Sequence, residues 1–98
     1  MLDLQSVREK IIETCSPHMI LLFGSQAKGT ARADSDVDLC VVAPTENKRE
    51  LLTELYVNVE FERPVDFLLY TPEEWARSVV DLHSFAYKLQ REGVRLYG

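Results

Sequence analysis

The sequence predicts an α/β (α+β) domain: a small mixed β-sheet flanked by helices. Three observations carry this. Short apolar runs bounded by Gly or Pro alternate with stretches of helical periodicity, as they do when strands and helices take turns along a chain. The runs are too short for helices and rich in Ile, Leu, Val and Phe, which suits strands buried on both faces. The link between the first two runs is residues 24–36 alone, tight for a helical crossover between parallel strands. An antiparallel pair inside an otherwise crossover-built sheet follows, hence a mixed sheet.

The elements follow in order. Leu4, Val7, Ile11 and Ile12 recur at helical spacing behind Asp3, a capping residue, so the chain opens with an amphipathic helix. Met19 to Phe23 is a buried strand ended by Gly24. Residues 25–33 are small and polar and read as a short helix. Val37 to Ala43 forms the second buried strand, closed by Pro44, after which Thr45 caps a helix with Leu51, Leu52, Leu55 and Val59 on its apolar face. Pro64 precedes a third strand, Val65 to Tyr70.

The sharpest start signal is Thr71-Pro72-Glu73-Glu74, with Thr at the cap, Pro at the first helical position and Glu at the third. That is a capping box, its proline where a missing N–H does no harm. Tyr70 and Trp75 stand where a hydrophobic staple joins them. Leu82, Phe85, Ala86 and Leu89 continue the helical stripe, Gly93 ends it, and Val94 to Tyr97 reads as a short edge strand.

Composition narrows the function. With 46% hydrophobic and 28% charged residues, the chain is of ordinary globular make-up, read as one domain over residues 1–98. Sixteen acids against eleven bases leave a net charge of −5, which argues against direct nucleic-acid binding, since that depends on Lys and Arg neutralising phosphates. Nucleotides stay open, because a metal ion can bring the missing positive charge. No apolar run reaches membrane-spanning length, no secretory signal is expected, and Cys15 and Cys40 make no disulfide framework. The expectation is a cytoplasmic protein with reduced, inert thiols. His18 and His83 lack partners at metal-ligand spacing and read as structural. Trp75, Phe85, Tyr87 and Tyr97 read as core or interface rather than as a base-stacking platform.

Two segments carry chemistry. Leu22-Phe23-Gly24-Ser25-Gln26-Ala27-Lys28-Gly29 joins a buried strand to a helix through a Gly-Ser turn, a way of presenting backbone N–H groups and a hydroxyl to an anion. Gly24 permits a sharp turn or close approach, Ser25 can donate to a phosphate oxygen, and Gly29 lets the helix pack closely. A Walker A loop is excluded because Thr30 stands where its Lys is required, and there is no G-x-G-x-x-G. Asp34-Ser35-Asp36-Val37-Asp38-Leu39 then leads into the second strand. Alternation puts Asp36 and Asp38 on one face, about 7 Å apart, with Val37 and Leu39 turned to the core. Neighbouring carboxylates repel unless a cation or proton compensates, and hard divalent ions take oxygen ligands from one or two carboxylates plus substrate phosphates. A calcium loop fails, since Leu39 stands where it needs Gly. Asp66 is an acid inside an apolar strand, where an unpaired buried charge is costly, so it is expected to complete the site. Glu60 and Glu62 read as solvated.

Gly24-Ser25 followed by Gly29, then Asp36-x-Asp38, then Asp66 on a later strand resembles the nucleotidyltransferase superfamily of the DNA polymerase β type, and most of all its minimal nucleotidyltransferase (MNT) branch. Residues 24–39 fit that branch almost position by position, and the tail Arg91-Glu-Gly-Val-Arg-Leu-Tyr97 is similar to its usual ending. The resemblance implies the nucleotidyltransferase fold, ATP as substrate, nucleotide binding by Gly24, Ser25, Lys28 and Gly29, and two Mg²⁺ ions held by Asp36 and Asp38. It places Asp66 on the side of the attacking hydroxyl as the third catalytic and metal-binding acid. Arg32 falls where the branch often has a basic residue. MNT proteins are typically antitoxins paired with a small helical HEPN toxin, a ribonuclease whose tyrosine they adenylylate, so the resemblance implies that partner. A docking antitoxin with dispensable catalysis, an antibiotic-type nucleotidyltransferase working with a separate helical chain, and homo-oligomerisation stay open at this point.

Overall fold

The computed structural model describes residues 3–32 and 35–98. Its elements are α1 (Gln5–Cys15), β1 (Met19–Phe23), α2 (Ser25–Lys28), β2 (Val37–Val42), α3 (Lys48–Asn58), β3 (Val65–Tyr70), α4 (Pro72–Ser78), α5 (Phe85–Glu92) and β4 (Val94–Tyr97). The four strands form one sheet in the order β3-β2-β1-β4. β1 runs antiparallel to both β2 and β4, while β2 and β3 run parallel. The mixed sheet expected from the short link between β1 and β2 is therefore present, with its one parallel pair spanned by α3.

Strand alternation gives the sheet two unlike faces. Ile20, Leu22, Val37, Leu39, Val41 and Leu69 face α1 and α3, where they bury against Val7, Ile11, Leu51 and Leu55. Met19, Leu21, Cys40 and Val42 form the opposite, smaller core with Leu89 of α5, and Tyr70 and Trp75 close its side. The staple between those two rings is an edge-to-face contact with centroids 5.2 Å apart. Both halves of the capping box form: Thr71 Oγ1 accepts from the Glu74 N–H (3.2 Å), and Glu74 Oε1 accepts from the Thr71 N–H (2.9 Å). Lys48 Nζ adds an ion pair to Glu74 at 3.1 Å, tying the start of α3 to the start of α4.

Three local expectations are corrected. Asn47, not Thr45, caps α3, its side chain accepting from the Glu50 N–H; the Thr45 hydroxyl accepts from the Asn47 N–H instead and shapes the turn before the cap. The short helix after β1 ends at Lys28, because Gly29 adopts a left-handed φ of 73°; Ala33, the end of the expected helix, and Asp34 lie outside the described residues. The stripe from Trp75 to Leu89 is two helices. Ser84 caps α5 by accepting from the Tyr87 N–H, Asp81 accepts from the His83 N–H, and Val80 and Leu82 stand 76% and 67% exposed in the connection. A good cap inside an amphipathic pattern ends one helix and starts another.

Side chains occupy main-chain groups on both outer strands. The Phe67 N–H of β3 donates to the Tyr56 hydroxyl (3.0 Å), and the Leu96 carbonyl of β4 accepts from Arg8 Nε (2.8 Å). Leu96 sits at the irregularity in the β1–β4 register.

Candidate active site

Register brings the predicted residues to one end of the sheet. Phe23, the last residue of β1, lies opposite Asp38, and Asp38 lies beside Asp66 on the parallel neighbour β3. Alternation puts both acids on the face of Cys40, Val42, Leu68 and Tyr70, beyond the end of the smaller core. Asp36 sits one residue before β2 and is exposed, as is Asp66, while Asp38 is half-buried.

The glycine turn meets the central carboxylate. Gly24 has φ 74° and ψ −152°, a combination essentially confined to glycine. A Cβ there would lie 2.5 Å from Asp38 Oδ2. Gly24 is therefore required twice, by conformation and by space. Ser25 opens α2 directly after it, where the first N–H groups of a helix have no intrahelical partner. Gln26 Nε2 reaches back to the Ser35 carbonyl (3.4 Å), and Ser35 Oγ accepts from the Arg32 N–H (2.8 Å). These bonds hold α2 against the segment that delivers Asp36.

The electrostatics follow from the crowding. The Asp38 carboxyl titrates above its ordinary range, first through partial burial, then through the charge of Asp66, then of Asp36. Ion pairs among the described residues are Lys10–Glu13, Lys28–Glu92 and Lys48–Glu74, so none engages these acids. Among the described residues no three His, Cys, Asp or Glu side chains converge to hold a metal by themselves. The donors that are present fit a hard divalent ion: all are carboxylate oxygens, mutually repelling and uncompensated, in a site that leaves ligand positions to substrate oxygens.

Other expectations sort as follows. Asp66 is not a buried charge. β3 is an edge strand and its side chain is exposed; what marks it is its register beside Asp38. Glu60 and Glu62 are exposed, before Pro64. Gly29 has open space around a would-be Cβ, so it serves by ending α2 in the left-handed conformation, not by close packing. Lys28 lies on the rim of a cleft with Glu92, 3.9 Å away. Arg32 is exposed. His18 and His83 are exposed too; the His18 N–H donates to the Val42 carbonyl and the His83 N–H to the Asp81 carboxylate. Burial pushes the Cys40 thiol up to about 12 and, with help from Glu54, that of Cys15 to about 11, which disfavours the nucleophilic thiolate at both.

Sequence reasoning missed Lys88 and Glu92 and read Phe85 as core or interface; all three meet Gly24 and Lys28 across that cleft of about 230 Å³. Their periodicity marked a helix, and nothing local indicated that the helix would lie beside the glycine turn.

Among the described residues no helix is long and apolar enough to cross a membrane. No curated protein matches the chain. A family model does: that of the nucleotidyltransferase domain, over residues 4–91, a span that takes in the glycine turn and all three acids. Those residues meet at one end of a small mixed sheet, and the match extends over nearly the whole chain; the protein belongs to the nucleotidyltransferase domain family.

Proposed function

We propose that this transferase moves AMP from ATP to a hydroxyl with the help of Mg²⁺, that the hydroxyl is a tyrosine of a small helical HEPN-type toxin, and that the protein thereby acts as its antitoxin. The observation that best supports a nucleotide-triphosphate site is the approach of Gly24 to Asp38, with Asp66 in register beside it. A turn stripped of its Cβ gives a phosphate chain backbone to lie on within reach of carboxylates that need a cation. On this reading Asp36 and Asp38 would hold the two Mg²⁺ ions, and Asp66, in register beside Asp38, would stand on the acceptor side. When bound, the metal neutralises charge on the α-phosphate and on the leaving pyrophosphate. The acceptor oxygen forms a bond to the α-phosphorus, the bond from that phosphorus to the bridging oxygen breaks, and pyrophosphate leaves with the electron pair. Asp66 takes the hydroxyl proton and passes it to solvent.

Asp66→Asn tests the reading. ATP affinity in Mg²⁺ is expected to stay near wild type, while AMP transfer to the partner, followed by mass spectrometry, falls roughly 10²- to 10⁴-fold. Transfer at the wild-type rate would remove Asp66 from the chemistry. Asp36→Asn with Asp38→Asn is expected to lose ATP binding and transfer together, and full neutralisation of the toxin in cells by that double variant would show that docking alone suffices.

A further inference from the structure

The cleft between α2 and α5 begins where the carboxylate site ends. It is lined by Phe23, the residue directly across the ladder from Asp38, and by Gly24 next to it. Opposite residues of an antiparallel pair put their side chains on the same face, so the cleft and the carboxylates open on one continuous surface. The Phe85 ring meets Phe23 edge to face, with centroids 5.8 Å apart and planes at 82°, yet remains 48% exposed. Ala27 and Gly93 also line it, and a Cβ on Gly93 would come within 2.7 Å of the Leu89 carbonyl oxygen. The rim is polar: Lys28 and Glu92 pair loosely at 3.9 Å, and Lys88 makes no ion pair among the described residues.

We infer that this cleft seats the nucleobase of the donor nucleotide, an inference that rests on the functional reading above. A volume of about 230 Å³ is small beside the roughly 300–1,000 Å³ of pockets that enclose whole ligands. It suits one ring system, with the rest of the nucleotide lying over Gly24 toward Asp38. Its walls are mainly carbon and include a half-exposed aromatic ring. Every nucleobase has a π-face that can stack on such a ring, whereas a polyphosphate gains nothing from carbon walls. A rim offering ammonium donors and a carboxylate acceptor matches the mixed donors and acceptors on a base edge.

Calorimetry with ATP, AMP and inorganic tripolyphosphate, each in Mg²⁺, tests this on wild type, Phe85→Ala and Phe85→Leu. Phe85 is the exposed first residue of α5, and the Ser84 cap stays intact; Phe85→Leu keeps apolar cover over Phe23 while removing the flat ring. Both variants are expected to bind ATP and AMP about 10-fold more weakly, with tripolyphosphate unaffected and the melting temperature of Phe85→Leu close to wild type. Unchanged ATP and AMP affinities would overturn the inference. So would a loss confined to tripolyphosphate, which would assign the cleft to the leaving phosphates. If the wild type binds neither ATP nor tripolyphosphate, the functional reading itself fails, a result separable from failure of the cleft alone.

Discussion

The two faces of the sheet solve different problems. Toward α1 and α3, apolar side chains from three strands meet two helices in one core, and Leu39, Val41, Ile11 and Leu55 lose all contact with water. Toward α4 and α5, apolar cover reaches only part way along the strands, and the uncovered end carries Asp38, Asp66 and the glycine turn. Repelling carboxylates destabilise a fold, and the chain concentrates that liability on the face that contributes less to holding it together. The main core and the candidate site share strands but not sides: in β2, Leu39 points one way and Asp38 the other.

That division can be broken most severely from the covered face. Leu55→Ala removes a fully buried side chain and is expected to cost about 2–5 kcal/mol, read by urea denaturation; a cost comparable to a surface substitution would mean that the two faces are not unequal. Gly24→Ala comes next. The new methyl group meets Asp38 in a backbone conformation that disfavours any side chain, so about 1–3 kcal/mol of stability should be lost, together with nucleotide binding.

Thr71→Ala breaks the capping box at the far end of the smaller core, at a cost of about 1 kcal/mol. Its pH dependence sharpens the contrast. The Glu74 carboxyl is held below its ordinary range, chiefly by the bond from the Thr71 N–H and then by Lys48. A lowered carboxylate pKa stabilises the fold above the ordinary Glu value, and this contribution is lost as pH falls through the lowered one. Asp38 has the opposite sign. Its raised pKa penalises the folded state at neutral pH, and the penalty fades as pH falls through the raised value toward the ordinary Asp value. Asp38→Asn without metal is therefore expected to leave the melting temperature unchanged or slightly higher at pH 7, with any gain vanishing near pH ~4. A clear drop at pH 7 would show that Asp38 has a structural partner.

Local signals foretold local structure. Met19–Phe23 and Val65–Tyr70 are strands with the bounds their apolar runs implied, and Thr71-Pro72-Glu73-Glu74 caps as its spacing required. The candidate acids stood out because a carboxylate at alternating spacing beside an apolar strand is conspicuous, and the structure brings Asp38 and Asp66 into register. Misreadings arose where two local signals competed or where tertiary contact decided. Thr45 and Asn47 are both good caps two residues apart, and only the bond to Glu50 distinguishes them. The helical stripe ran unbroken through Leu82, yet Ser84 divided it. Asp66 was singled out for burial, but burial depends on whether a strand lies at the edge, which no run of residues encodes. The cleft was invisible for the same reason, since Phe23 and Phe85 meet only once α5 folds back over β1.

The hydroxyl of Tyr56 and the guanidinium of Arg8 have a consequence for assembly. An open sheet edge is a template onto which another chain can add a strand. Here an incoming strand finds the Phe67 N–H on one outer strand and the Leu96 carbonyl on the other already engaged by a side chain anchored in a neighbouring helix. Extending the sheet would mean withdrawing those side chains first, at the loss of bonds already made. Partners that approach through helices or loops meet no such obstacle, so these two bonds bias association away from edge pairing at Phe67 and Leu96.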